Sequence, residues 1–277
     1  MVIELTNVLT IQRWVARSRP KRLRRGMTLI ELMAAVVITT LVASVLGTLA
    51  YTIQMTSIYS DGQNAALQHS RVTLSRIQRI VNEAHASEQF PAAAVFSELV
   101  AGVRFPDTLV VWSPAGTAAN PTGLPLFSEL VVFCPKPSAP EQLLEIRAPS
   151  DNRQVPALSN TASWTSELTS LKTGASSRQT LLTELVRVGT IGGSNRGAVR
   201  FEVERRPTAT EWASYRAGTT TWDNVSWVQG VHGPRTGLAQ TWVRTELQLM
   251  PTRPGTTTLH PAIAFFGSGA AYYELHK

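Results

Sequence analysis

Residues 24–31 read RRGMTLIE, and residues 32–51 continue as LMAAVVITTLVASVLGTLAY. From Leu32 to Ser60 there is no charged side chain. A helix of twenty residues spans roughly 30 Å, the usual hydrocarbon thickness. The stretch 32–51 therefore predicts a membrane span. Thr39, Thr40, Ser44 and Thr48 fit lipid if their hydroxyls return to carbonyls one turn back. Gly47 lowers helix propensity but permits close approach of a neighbouring helix. The competing reading is a buried helix of a soluble protein, which length, lack of charge and the preceding basic cluster disfavour. That cluster, RPKRLRR at Arg19–Arg25, is expected to stay cytoplasmic, which places the chain beyond about residue 55 outside.

A secretory signal has a shorter apolar core with a small-residue cleavage site after it. Here the small residue, Gly26, stands before the core, and Glu31 is a lone carboxylate at the helix entrance. A charge at mid-bilayer costs about 2.5–3.5 kcal/mol and less near the edge. An ammonium group held at the same depth would be its cheapest partner.

At this junction the sequence resembles the type IV pilin and type II secretion pseudopilin superfamily, over roughly residues 19–80. The resemblance implies that a prepilin peptidase cuts after Gly26 and methylates the new amine of Met27. It implies that Glu31 pairs with a neighbouring subunit's terminal amine during assembly. Its departures are Met27, where phenylalanine is commoner, and a leader of 26 residues, longer than usual. The implied partners are the prepilin peptidase, other pilins or pseudopilins, an inner-membrane assembly platform and the lipid bilayer.

The charge distribution supports the same organisation. Of 277 residues with net charge +7, residues 1–26 hold seven basic groups against Glu4, and the remainder is nearly neutral. The excess belongs to the leader, so nucleic acid is disfavoured as a partner, since a nucleic-acid binder would spread its charge over the fold. Cys134 is the only cysteine, so neither an internal disulfide nor a multi-cysteine zinc site can form.

Between Tyr51 and Phe90 there is no proline, and Pro91 is the first firm stop. A single helix from Thr28 to about Gln89 is expected, with Asp61-Gly62 as its weak point. Leu67, Leu74, Ile77, Val81 and Ala84 form an apolar stripe predicted to face a sheet. Arg71, Arg76 and Arg79 lie off the stripe and are read as a solvated face. The chain thus divides into a basic leader (1–26), a hydrophobic helix and stalk (27–90) and a β-rich head (91–277).

In the head, strands are expected at Thr108–Trp112, Glu129–Cys134, Leu143–Arg147, Gly197–Arg205 and Thr241–Met250, with a final hairpin at Ala262–Phe266 and Ala271–Leu275. Leu181, Leu182, Leu185 and Val186 suggest a helix over Ser177–Val188. Pro149–Thr161 and Pro207–Asn224 read as loops. The fold class is α+β and pilin-like, the long N-terminal helix packing on a mostly antiparallel sheet.

Chemistry is sparse. The five histidines at 69, 85, 232, 260 and 276 are scattered, and no Walker, zinc-protease, calcium-loop or nucleophile-elbow motif occurs. No enzyme activity, cofactor or metal is assigned. Cys134 reads as a buried strand residue. Trp212, Trp222 and Trp227 read as plugs between loops and sheet rather than as a contact surface. Arg205, Arg206, Arg216, Arg235 and Arg244 interleave with Glu202, Glu204, Glu211 and Glu246 as surface pairs. The expected function is a minor pilin or pseudopilin, a non-catalytic filament subunit of a type IV pilus-like or type II secretion system. It would be a single-pass inner-membrane protein with a cytoplasmic N-terminus and a periplasmic head. The alternative is a singly anchored periplasmic binding module or receptor that uses the same export signal.

Overall fold

The computed structural model of the chain describes residues 26–174, 177–251 and 261–277. The basic leader up to Arg25, with its Arg19–Arg25 cluster, and His260 lie outside the described residues. The chain forms two compact units, residues 1–55 and 56–277. One helix, α1, covers Leu29–Asn82. Its first part, up to Met55, belongs to the first unit; the rest is part of the second.

Among the described residues, the second unit carries three antiparallel sheets. Strands β1 (Ala93–Val100), β2 (Val103–Trp112), β3 (Leu130–Lys136), β4 (Ala139–Arg147) and β5 (Arg178–Thr183) make a five-stranded meander in chain order. Strands β6 (Val188–Ile191) and β7 (Ser194–Gly197) form a small hairpin. Strands β8 (Val199–Arg206), β9 (Thr236–Leu249) and β10 (Ile263–His276) form a three-stranded sheet with β9 in the centre. Helix α2 (Thr161–Thr173) and short helix α3 (Ala209–Arg216) complete it. A long N-terminal apolar helix packed, in its second part, on antiparallel sheets is the α+β, pilin-like architecture that the sequence predicts.

Two cores hold the head on either side of the five-stranded sheet. On one side Ile77, Ile80 and Val81 of α1 meet Leu109, Val111 and Phe133 of the meander and Phe201, Val243 and Leu247 of the three-stranded sheet. On the other, Trp164 and Leu168 of α2 cover Val110, Trp112, Cys134 and Ile146. The alternation of inward residues along β2 and β3 feeds both cores, which is why these strands read as continuous apolar runs.

Several expectations are corrected. Helix α1 stops at Asn82, not near Gln89. The Ala84 N–H turns back to Val81 O, His85 N–H bonds Trp112 O at 2.9 Å, and Asn82 Oδ1 accepts from the Ala270 N–H. The chain thus leaves the helix to join the end of β2, well before Pro91. Helix α1 also runs through Asp61-Gly62 without a break. Its buried face is Ala66, Ser70, Thr73, Ile77, Ile80 and Val81, so the expected stripe is rotated: Leu67 is 37% exposed. Small and hydroxyl residues, which carry little hydropathy, occupy the upper half of the contact.

Arg76 is not a solvated residue; it pairs with Glu145 of β4. The expected helix at Ser177–Val188 is instead β5, whose Leu181 pairs with Leu144 as an edge strand and stays half exposed. The real helix, α2, begins at the last residue of the Pro149–Thr161 tract, capped by Asn160, whose Oδ1 accepts from the Ser163 N–H. The Pro207–Asn224 loop contains α3, begun by a Thr208/Glu211 capping box. The final hairpin is a single strand, β10. Gly267 and Gly269 do not turn the chain; they let α1 approach. A Cβ at Gly267 would lie 3.0 Å from Leu74 Cδ2, and one at Gly269 would lie 3.1 Å from Val81 Cβ.

Candidate processing and assembly segment

Residues 26–28 have no regular structure and lead directly into α1. Thr28 and Glu31 close the helix start. Glu31 Oε2 accepts from the Thr28 N–H at 2.9 Å and from its hydroxyl at 3.1 Å, while the Glu31 N–H donates to Thr28 Oγ1 at 3.3 Å. This reciprocal arrangement satisfies helix N–H groups that lack carbonyl partners. Glu31 is solvent-exposed and forms no ion pair among the described residues. Gly26, Met27 and Glu31 thus fall within six residues at one helix end. The sequence marked Glu31 as a charge needing a partner; the Thr28 cap is the local partner it did not foresee, although Thr28-x-x-Glu31 carries the capping signature.

The following segment is apolar on all sides. Among the described residues, nothing buries its most apolar 18-residue stretch. Leu29, Ile30, Met33, Val37, Ile38 and Leu41 are all more than half exposed. An isolated soluble helix would not expose such a surface. The hydroxyls return to the backbone as expected: Thr39 to Ala35 O, Thr40 to Val36 O, Ser44 to Leu41 O and Thr48 to Ser44 O, at 2.6–2.8 Å. Each therefore presents a mostly apolar exterior. This is one helix near the N-terminus long and apolar enough to cross a membrane. A Cβ added at Gly47 would meet nothing within 4 Å, so its open face is available to a neighbouring helix.

In the head the reactive groups are engaged or buried. Burial pushes the Cys134 thiol up to about 12, leaving it protonated and inert as a nucleophile. Trp222 and Trp227 are buried, with Trp212 packed at their edge, and together they plug one end of the three-stranded sheet against Ala239 and Leu275. Arg216 pairs with Glu88, Arg206 with Glu204 and Arg244 with Glu202. Arg205 departs from this pattern. Burial lowers its pKa, partly countered by the neighbouring Tyr273, and its Nη2 lies 3.5 Å from Ala93 O. Among the described residues no group of three or more His, Cys, Asp or Glu is placed to hold a metal ion.

Comparison with known proteins adds one match. A family model described as the prokaryotic N-terminal methylation motif covers residues 21–47. No curated protein and no solved structure matches the chain. The chain thus carries a pilin-like N-terminal methylation motif on a long apolar helix, followed by an antiparallel β-sheet head.

Proposed function

We propose that the chain is a minor pilin or pseudopilin, a non-catalytic subunit of a filament assembled from the inner membrane. One observation carries this reading. The methylation motif runs into a helix whose first 27 residues, Leu29–Met55, are apolar around nearly the whole circumference and almost wholly exposed among the described residues. Such a surface needs lipid before assembly and neighbouring helices after it. In this reading a prepilin peptidase cuts between Gly26 and Met27 on the cytoplasmic side and methylates the Met27 amine. The apolar helix then holds the subunit in the inner membrane, with the head in the periplasm, until the assembly platform extracts it. Glu31 receives the methylated amine of another subunit, which sets the stagger between them. The large head, with its extra helices α2 and α3, favours a minor over a major subunit.

The test is the intact mass and N-terminal sequence of protein extracted from membranes. Loss of 26 residues and a methylated Met27 are expected, and replacing Gly26 with a bulky residue should abolish both changes. An uncut, unmethylated chain in cells that hold an active peptidase would overturn the reading.

A further inference from the structure

Residues 188–197 read VGTIGGSNRG and fold as the β6–β7 hairpin, two strands of four residues each. A lone two-stranded ladder is at best marginally stable in water, so this one depends on its docking. Its large apolar side chains, Val188 and Ile191, are only partly buried, and apolar packing supplies little of that docking. The base is closed by the Ala198 N–H on Arg187 O at 2.7 Å and tied to β9 by the Arg187 N–H on Gln248 O at 2.8 Å. At the tip Gly192, with φ +57°, rests on the β1–β2 turn, where an added Cβ would lie 2.7 Å from that of Ala101.

Between base and tip a single side chain holds the hairpin to the head. Among the described residues, Arg196 makes the only hydrogen bond and the only ion pairs that leave residues 188–197. Its Nη1 donates to Glu98 Oε2 of β1 at 2.6 Å and lies 3.9 Å from Asp107 Oδ2 of β2. Glu98 is braced from the other side by Lys172 of α2, whose Nζ donates to Oε1 at 2.9 Å. The docked geometry is not fully satisfied, because Arg196 Nε is buried and finds no acceptor among the described residues.

The hairpin is also a wall between two cavities. On the β7 side, Ser194 and Asn195 face Asp107 and Lys172 across a space of about 370 Å³. On the β6 side, Gly189 and Ile191 face Phe105 and Pro106 across about 660 Å³. Arg196 and Gly197 line both. We propose that the hairpin is a flap, hinged at Arg187 and Ala198 and latched by Arg196, whose opening joins the two cavities into one cleft while both cores stay folded. The latch is ionic and its partners Arg196 and Glu98 are partly exposed, so salt weakens it.

The test is amide hydrogen exchange of the full chain in detergent micelles, read over residues 188–197 and compared with Val110 of β2 and Val132 of β3. Arg196→Met removes the latch and leaves Glu98 paired with Lys172, so no buried charge is stranded. It should speed exchange in the hairpin about tenfold, the scale of one lost charged hydrogen bond, and leave Val110 and Val132 unchanged. In the unsubstituted chain, hairpin exchange should rise between 0.05 and about 1 M sodium chloride, and the Met variant should lose that dependence. Arg196→Lys keeps the charge without the planar fork and should fall between the two. Equal hairpin exchange in the Met variant and the unsubstituted chain would overturn the proposal, since the Gly192 and base contacts would then suffice. A rise shared by Val110 and Val132 would also overturn it, because Arg196 would then hold the whole head and not a flap.

Discussion

Arg76 of α1 donates from Nε and Nη2 to the two carboxylate oxygens of Glu145 on β4, each at 2.8 Å. Glu145 is almost fully buried and also accepts from Arg147 Nε at 3.0 Å. This fork fixes the rotation of α1 over the sheet at the level where its contact changes from small residues to Ile77, Ile80 and Val81. Arg76→Met should destabilise the fragment Thr56–Lys277 by about 1–3 kcal/mol, because Glu145 keeps Arg147 but loses a bidentate partner. Urea unfolding of the two proteins measures it. Arg71→Met, on the exposed side, is the control and should change little.

The same pair predicts an acid limb in the stability profile. Burial alone would raise the Glu145 carboxyl, but hydrogen bonds and charge from Arg76 and Arg147 outweigh it and hold the group below the usual carboxylate range. A depressed folded value gives stability that is present above the unfolded value and lost as pH falls through the folded one. The urea midpoint should therefore fall as the pH is lowered below the usual glutamate range, and Glu145→Gln should flatten that slope. An unchanged slope would mean that the fork does not persist in solution. Asp107 works in the opposite sense, since burial raises its carboxyl. Its ionisation costs stability as pH rises through the folded value, so Asp107→Asn should weaken that loss.

The rotated stripe on α1 gives a direct contrast. Ile77→Ala should cost about 2–4 kcal/mol, as expected for a large side chain that is 3% exposed, whereas Leu67→Ala should cost less than about 1. Comparable losses at both positions would favour the stripe read from apolar residues alone.

Gly62 should reverse the usual rule for helices. Exposed Gly→Ala changes inside a helix gain up to about 1 kcal/mol. At Gly62 an added Cβ would overlap the carbonyl oxygen of Pro251. Gly62→Ala should therefore destabilise the head, because a backbone carbonyl has little room to retreat. A raised thermal midpoint for this variant would show that the Pro251 contact is not maintained.

Legibility in the sequence followed the clarity of the physical signal. The apolar run 32–51, the alternation in Val199–Arg206 and Thr236–Leu249, and the dense runs of β2 and β3 had one plausible reading each. The failures are specific. Leu181, Leu182, Leu185 and Val186 suit a helix by spacing, but an edge pairing with β4 that no local pattern announces placed the first two in a strand. Trp164, Leu168 and Leu171 do carry a helical period and Asn160 a cap, so the local sequence does hold the signal for α2. The Arg76–Glu145 fork has no such signal, because 69 residues separate its members. Around Glu31, position and oddity were visible, while the Thr28 cap shows how the unassembled helix satisfies that carboxylate.

That cap separates two roles for Glu31. If the carboxylate serves only its own helix end, Thr28→Val and Glu31→Gln should do similar harm, about 0.5–2 kcal/mol of local helix stability each. If it also receives another subunit's methylated amine, removing the carboxylate removes both interactions, and Thr28→Val removes only the side-chain part of one. Glu31→Leu should then insert readily, since a charge at the helix entrance has been deleted, and should still be processed after Gly26. It should nonetheless fail to enter the filament, with Glu31→Gln close behind and Thr28→Val retaining more incorporation than either. The measurement is cross-linking of each variant to its neighbouring subunits in cells at matched expression. Incorporation of the Leu variant at the unsubstituted level would confine Glu31 to capping its own helix.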